Sequence, residues 1–222
     1  MFLKPIKTII QRDIRLSFAE SAESLTPLLF FLIILSIFPL ALGSETKILS
    51  QAAPAILWIG VILSLLLSAD SLFKADFESG ILEQFVLSPY PLSVIMLGNS
   101  LAHCITLGLP LLILASFMSL LFGFTTEQTF VFASTLALGL PSLSLVASIG
   151  AALTIGLSRG GLLLIVIILP LMVPILILST SAVLAVREGN PYSAEIFLLG
   201  AIFLLVLVSA PLAISAIVRA TV

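Results

Sequence analysis

Long apolar runs, broken by short polar stretches, organise this chain. No Asp, Glu, Lys or Arg falls between Glu23 and Glu45, Lys47 and Asp70, or Glu83 and Glu127. The same holds between Glu127 and Arg159, Arg159 and Arg187, and Glu195 and Arg219. Each gap holds at least 21 residues, and about 20 apolar residues cross a bilayer core as a helix. The pattern predicts six transmembrane helices, at about 25–43, 52–70, 92–122, 129–157, 161–186 and 196–218. Unbroken apolar runs exclude a β-barrel, whose strands alternate apolar and polar residues. The first run is too long for a signal peptide and lacks a small-residue cleavage site, so it reads as a span.

Residues 1–20 follow a different rule. At 100° per residue, Lys4, Lys7, Gln11 and Arg15 share one face, and Phe2, Leu3, Ile6, Ile9, Ile10 and Leu16 the other. This is the pattern of a basic amphipathic helix lying on an anionic leaflet. Asp13 interrupts the apolar face, which marks either a loosely fitting surface helix or a contact with another subunit or a cytoplasmic loop. Within the spans, Pro110, Gly139, Pro141, Pro170, Pro174 and Pro211 mark kinks or short breaks.

Composition agrees with the pattern. The chain is 60% hydrophobic and 9% charged, against about 25% charged for a soluble domain. Its mean hydropathy is +1.33. Six spans put both termini on one side, with Lys4, Lys7, Arg12, Arg15, Lys74, Arg159 and Arg219. Only Lys47 and Arg187 fall on the other. The positive-inside rule therefore sets both termini in the cytoplasm. The loops are too short to hold a soluble domain, so residues 1–222 read as a single transmembrane domain.

The chemistry of enzymes is missing. There is no GxxxxGK[ST] phosphate loop, no HExxH motif and no Cys/His cluster for a metal. The single cysteine, Cys104, excludes an internal disulfide. No charged side chain falls at a predicted midplane, which disfavours an ion-coupled pathway. His103, in "NSLAHCITLG", is the sole imidazole. It reads as a side chain hydrogen-bonded to a neighbouring helix, with a ligand role, for instance to heme iron, as the sharper alternative. Nothing points to nucleic acid.

The longest polar break is 70–91, containing "FKADFESGILEQFVLSPYP". Asp70, Lys74, Asp76, Glu78 and Glu83 fall here, and Phe73, Phe77, Ile81 and Phe85 are spaced by four. Such spacing lines one side of a helix. Ser79–Gly80 is a breaking pair, so one helix and two short helices with a turn both fit. An apolar ridge with charged flanks suits a groove on a soluble partner. The alternative is a re-entrant cap that closes the cytoplasmic face of its own bundle.

These residues resemble a known family. "FKADFESGILEQFVLSP" is similar to a segment of the heme exporter protein B (CcmB) family. The stretches "SAESLTPLLFFLIILSIFPLALG", "APAILWIGVILSLLLSADSLF", "GLPLLILASF" and "LTIGLSRGGLLLIVIILPLMVPILIL" agree in the same order. "LEQ" at 82–84 and "RGG" at 159–161 are the most specific pieces. Where that family commonly carries an acid before the glycine, this chain has Ser79.

The resemblance implies an ABC-2-type permease: an all-α bundle of six transmembrane helices in the bacterial inner membrane, with an amphipathic start (1–20) and a cytoplasmic coupling segment (70–91). It implies a permease subunit of an ABC-type heme exporter complex serving cytochrome c biogenesis. ATP would be bound by a separate soluble ATPase subunit. The other implied partners are a heme-handling membrane subunit, a small single-span subunit and, indirectly, a periplasmic heme chaperone. Heme would be handled or transported, with no resident cofactor or metal and no catalytic residue. Half the helices of an ABC membrane core implies two copies or a hetero-oligomer. The rival reading is a non-transporting scaffold that relays the ATPase's motion to a heme-handling partner. On either reading Phe73, Asp76, Phe77, Glu78, Gly80, Leu82, Glu83 and Gln84 form the ATPase-docking set. Arg159, Gly160 and Gly161 form a second contact or simply a tight turn.

Overall fold

The computed structural model describes residues 3–19, 21–42, 46–157 and 160–221. Among them the chain is helical throughout, without a strand. The amphipathic start forms α1 (Leu3–Ala19), and α2 (Ser21–Leu42) and α3 (Thr46–Ala69) follow. Two short helices, α4 (Lys74–Glu78) and α5 (Ile81–Leu87), occupy the polar break. Then come α6 (Leu92–His103), a π-turn (Cys104–Gly108), α7 (Leu109–Leu121), α8 (Thr126–Leu153), α9 (Gly160–Glu188) and α10 (Ser193–Thr221).

Among the described residues, five stretches are long and apolar enough to cross a membrane: Leu49–Glu78, Leu92–Leu121, Thr126–Leu153, Gly160–Glu188 and Ser193–Thr221. They match the second to sixth predicted spans. The first falls within α2, where Leu25–Ala41 forms a shorter apolar stretch. The protein is thus a multi-pass membrane protein built from helices.

The packing centres on α8, which touches α3, α6, α7, α9 and α10. Glycines let its neighbours approach. A Cβ on Gly139 would stand 2.5 Å from Cη2 of the fully buried Trp58 of α3. One on Gly150 would collide with Ile168 of α9. Close backbone approach through small residues replaces the hydrophobic driving force that lipid cannot supply between helices. Trp58 stands edge-on to Phe132, with ring centroids 6.3 Å apart. A reciprocal capping box starts α8: Thr125 Oγ1 accepts from the Gln128 backbone N–H, and the Gln128 side chain accepts from that of Thr125.

The proline breaks resolve unevenly. The third predicted span widens into the π-turn at Cys104–Gly108, just before Pro110. A proline has no N–H for the preceding turn, and a π-turn is one way to re-register the ladder. By contrast α8, α9 and α10 continue through Pro141, Pro170, Pro174 and Pro211.

The bundle has two distinguishable ends. At one, Arg187 donates to the Ser50 carbonyl at 3.0 Å. The other gathers α1, α4, α5 and the turn between α8 and α9. Here α1 lies along α6, burying Ile9 and exposing Lys7, Gln11 and Arg15. A Cβ on Gly98 of α6 would stand 3.2 Å from Cβ of Ile9.

Candidate functional site

The polar break is an elbow of two helices rather than one. Gly80 sits at φ +71°, the left-handed region that costs a side-chain-bearing residue roughly 1–2 kcal/mol, and it ends one helix and starts the next. Ser79 closes α4 by donating its hydroxyl to the Ala75 carbonyl at 2.7 Å. A carboxylate cannot donate in this way, so a serine at this position has a local structural use.

The elbow presents its apolar ridge inward. Phe73 is 1% exposed and Leu82 0% exposed, both inside the core. Phe77 and Phe85 are half-buried and packed against that core. Phe73 and Leu82, expected among the docking residues, thus face the bundle itself, the nearest apolar surface, rather than outward. Asp76 turns inward too, at 8% exposure. Glu78, Glu83 and Gln84 face outward, as do Lys74 and Leu87. The outer face is therefore mainly acidic and polar, and the inner face anchors it.

Asp76 is held by a residue the sequence did not single out. Arg12 of α1 donates from Nη2 to Asp76 Oδ2 at 2.6 Å and from Nε to Asp13 Oδ1 at 2.7 Å. Its guanidinium lies over the Phe85 ring, 5.1 Å from the centroid, within range of a cation–π contact. Burial alone would lower the Arg12 pKa, but the Asp76 hydrogen bond and the charges of Asp13 and Asp76 outweigh it and leave it raised. Burial holds Asp13 above the usual carboxylate range despite its short ion pair with Arg12, and the charge of Asp76 adds to the shift. The signal for this cluster was Asp13 itself, an acid on an apolar face. It is satisfied by its neighbour Arg12, which reaches the polar break.

The turn between α8 and α9 packs on the same elbow. Gly156 has φ +76°, and a Cβ there would stand 3.3 Å from Cζ of Phe77. A Cβ on Gly160 would press on the Thr154 carbonyl at 2.9 Å, and one on Gly161 would stand 3.0 Å from Asp70 Oδ1. Gly160 is thus required by close approach to backbone, whereas Gly161 is crowded by the end of the Asp70 side chain. The Asp70 carboxylate beside the start of α9 is on the favourable end of the helix dipole. Arg159 lies outside the described residues. A cavity of about 560 Å³ opens between Asp70, Phe77, Glu78, Thr154, Gly156 and Gly161.

His103 is buried on α6, and its Nε2 lies 3.1 Å from Ser68 Oγ of α3, the expected bond to a neighbouring helix. Its Nδ1 and the Asn99 Oδ1 have no partner among the described residues. Both residues border a second cavity of about 450 Å³, which also reaches Arg12, Asp13 and Asp76. No group of three or more metal-ligating side chains occurs among the described residues.

With this geometry, comparison with known proteins is decisive for the family. A model of the CcmB protein family matches residues 4–221. The chain belongs to the CcmB family. It is similar to the heme exporter protein B of Pseudomonas aeruginosa, with 42% identity over 208 residues, 94% of this chain and 93% of that protein. Its counterpart in Haemophilus influenzae is 39% identical over 211 residues, 95% of this chain and 96% of that protein. The heme exporter protein B of Escherichia coli strain K12 is 40% identical over 211 residues, with the same shares. The resemblance read from "FKADFESGILEQFVLSP" is borne out over nearly the whole chain.

Proposed function

We propose that this protein is the permease subunit of an ATP-driven heme exporter complex of the bacterial inner membrane, and that the α4–α5 elbow docks its soluble ATPase. The observation that carries the reading is the two-sided elbow. Phe73, Leu82 and Asp76 fasten it to the bundle, and Glu78, Glu83 and Gln84 stay outside. A segment anchored inward and charged outward transmits force from whatever grips its outer face. The anchored three are thus supports, and the outer three, with Gly80 as the bend, are the contact. The cavity beside Gly160 and Gly161 is contiguous with Glu78 and extends the same face.

On this reading α2 is the sixth span. Its 22 residues, at about 1.5 Å each, rise about 33 Å, enough for a hydrocarbon core of about 30 Å. Six spans place the elbow, α1 and both termini in the cytoplasm, in agreement with the distribution of Lys and Arg. The relatives' name supports heme as what the complex handles. ATP hydrolysis by the partner then drives heme delivery or release of the loaded chaperone, with a heme-handling subunit and a small single-span subunit completing the complex. Two copies of this chain, or one with a second membrane subunit, form the core.

The test uses single cysteines, Glu78→Cys, Glu83→Cys and Gln84→Cys, in a Cys104→Ser chain co-expressed with the ATPase. We expect crosslinks whose yield changes with ATP, and none from Phe73→Cys. A complex that co-purifies intact but crosslinks at none of the three outer positions would sink the docking assignment.

A further inference from the structure

We propose that Arg12 is the positioning residue of the elbow, fastening α4 and α5 to α1 so that the three move as one lever against α6. Arg12 touches both arms. It bonds Asp76 on α4 at 2.6 Å and covers Phe85 on α5 at 5.1 Å from the ring centroid. The arms meet at the Gly80 turn and are each seated in the core by Phe73 and Leu82, and a polar group that grips both from outside that core adds a direct tie between their angle and α1. The bond is also one the chain cannot easily abandon. The Asp76 side chain is 10% exposed, and a buried carboxylate without its cation carries a heavy desolvation cost. The guanidinium suits the task because its flat fork bonds two carboxylates in a fixed geometry while its plane lies on an aromatic face, whereas an ammonium is a point charge without that plane.

The far side of α1 completes the lever. A Cβ on Gly98 of α6 would lie 3.2 Å from Cβ of Ile9 and 3.6 Å from the Ile6 backbone. The two helices are therefore in contact at backbone range. Beyond Gly98, α6 leads into the π-turn at Cys104–Gly108, and π-bulges inside helices are frequent at functional sites. Displacement of the elbow is thus carried by Arg12 into α1, and by α1 onto α6 just before its one irregular turn.

The functional arm of this inference rests on the docking reading above, while its structural arm does not. Spin labels at Gln11→Cys on α1 and Leu87→Cys on α5, both exposed, in a Cys104→Ser full-length chain in nanodiscs, report the α1–α5 distance by pulsed dipolar spectroscopy. We expect one narrow distance, the same in the chain alone and in its complex with the ATPase, with and without ATP. Arg12→Ala broadens or splits it, and Arg12→Lys does so partially. Arg12→Asp broadens it, and adding Asp76→Arg narrows it again, because the exchange keeps one guanidinium beside two carboxylates. In cells, Arg12→Ala keeps the ATPase co-purifying within twofold but lowers heme delivery, read as holo-cytochrome c, at least tenfold. An unchanged distribution in a folded Arg12→Ala chain overturns the proposal. So does failure of the exchange to restore it, or a distance that shifts with ATP in the unmodified pair. Failure of the wild-type chain to retain the ATPase overturns the docking reading and leaves the distance arm standing.

Discussion

Gly139→Ala, a single added methyl, tests how the bundle is packed. The new Cβ would lie 2.5 Å from Trp58 Cη2 and 3.3 Å from both Trp58 Cζ3 and Ile175 Cγ2. Carbon atoms rest at about 3.5–4.0 Å, so one neighbour must retreat by about 1 Å. Trp58 has nowhere to go: it is fully buried and set edge-on to Phe132. Overpacking of this kind costs about 1–3 kcal/mol, partly offset by the helix preference of alanine over glycine, about 1 kcal/mol. The net is a loss of up to about 2 kcal/mol. Gly200→Ala is the control, because a Cβ there meets nothing within 4 Å, so only the propensity gain remains. The assay is thermal unfolding in detergent with a thiol-reactive fluorogenic dye, read by Cys104, the chain's single cysteine. Apparent midpoints at one heating rate should fall in the order Gly200→Ala, wild type, Gly139→Ala.

The same site offers an internal rescue. Trp58→Phe removes the ring atoms that the methyl strikes, together with an indole N–H that has no partner among the described residues. In the double variant the two changes should be coupled by about 0.5–3 kcal/mol, the range for residues in contact. Should Gly139→Ala melt with Gly200→Ala, or the double variant be no better than additive, the reasoning from close approach to α8 fails.

Other expectations concern the elbow and its surroundings. Glu83→Lys, on the exposed face of α5, should weaken ATPase association at least tenfold, equivalent to about 1.4 kcal/mol, as measured by co-purification under a salt series, while the midpoint of unfolding stays unchanged. Gly80→Val forces a β-branched residue to φ +71°. It should reduce the nucleotide-dependent crosslink from position 83 without releasing Phe73 from the core, as followed by protease protection. Asp13→Asn should be tolerated better than Asp76→Asn in the spin-label distance. Burial raises the Asp13 pKa, so its charge is disfavoured in the folded chain. That part of its contribution lessens stability as pH rises through its folded pKa, and asparagine removes it. His103→Ala should leave heme absorbance of the purified chain as it was, because the ring is buried with Nε2 already facing Ser68, whereas lost absorbance would make it a ligand.

The fold was largely legible because lipid imposes one rule on every span: charges must stay out, so gaps between charges map helices. The elbow was legible as a place, through its charges and the Ser79–Gly80 break, and the resemblance of its residues to a known segment pointed to the family. What the sequence left open was which way the elbow faces. Spacing by four puts Phe73, Phe77 and Phe85 on one side of a helix, but periodicity carries no sign. The same ridge serves a partner's groove or the bundle beneath it, and only the position of the core decides. The Arg12–Asp76 bond was hidden for a different reason. It joins residues 64 apart, beyond the reach of any local pattern, and Arg12 looked like one more cation on a basic helix. Its trace was Asp13, an acid where an apolar residue belonged. A local rule broken without local compensation marked a long-range contact here, and in this chain the contact joins the amphipathic start to the segment that we assign to the ATPase.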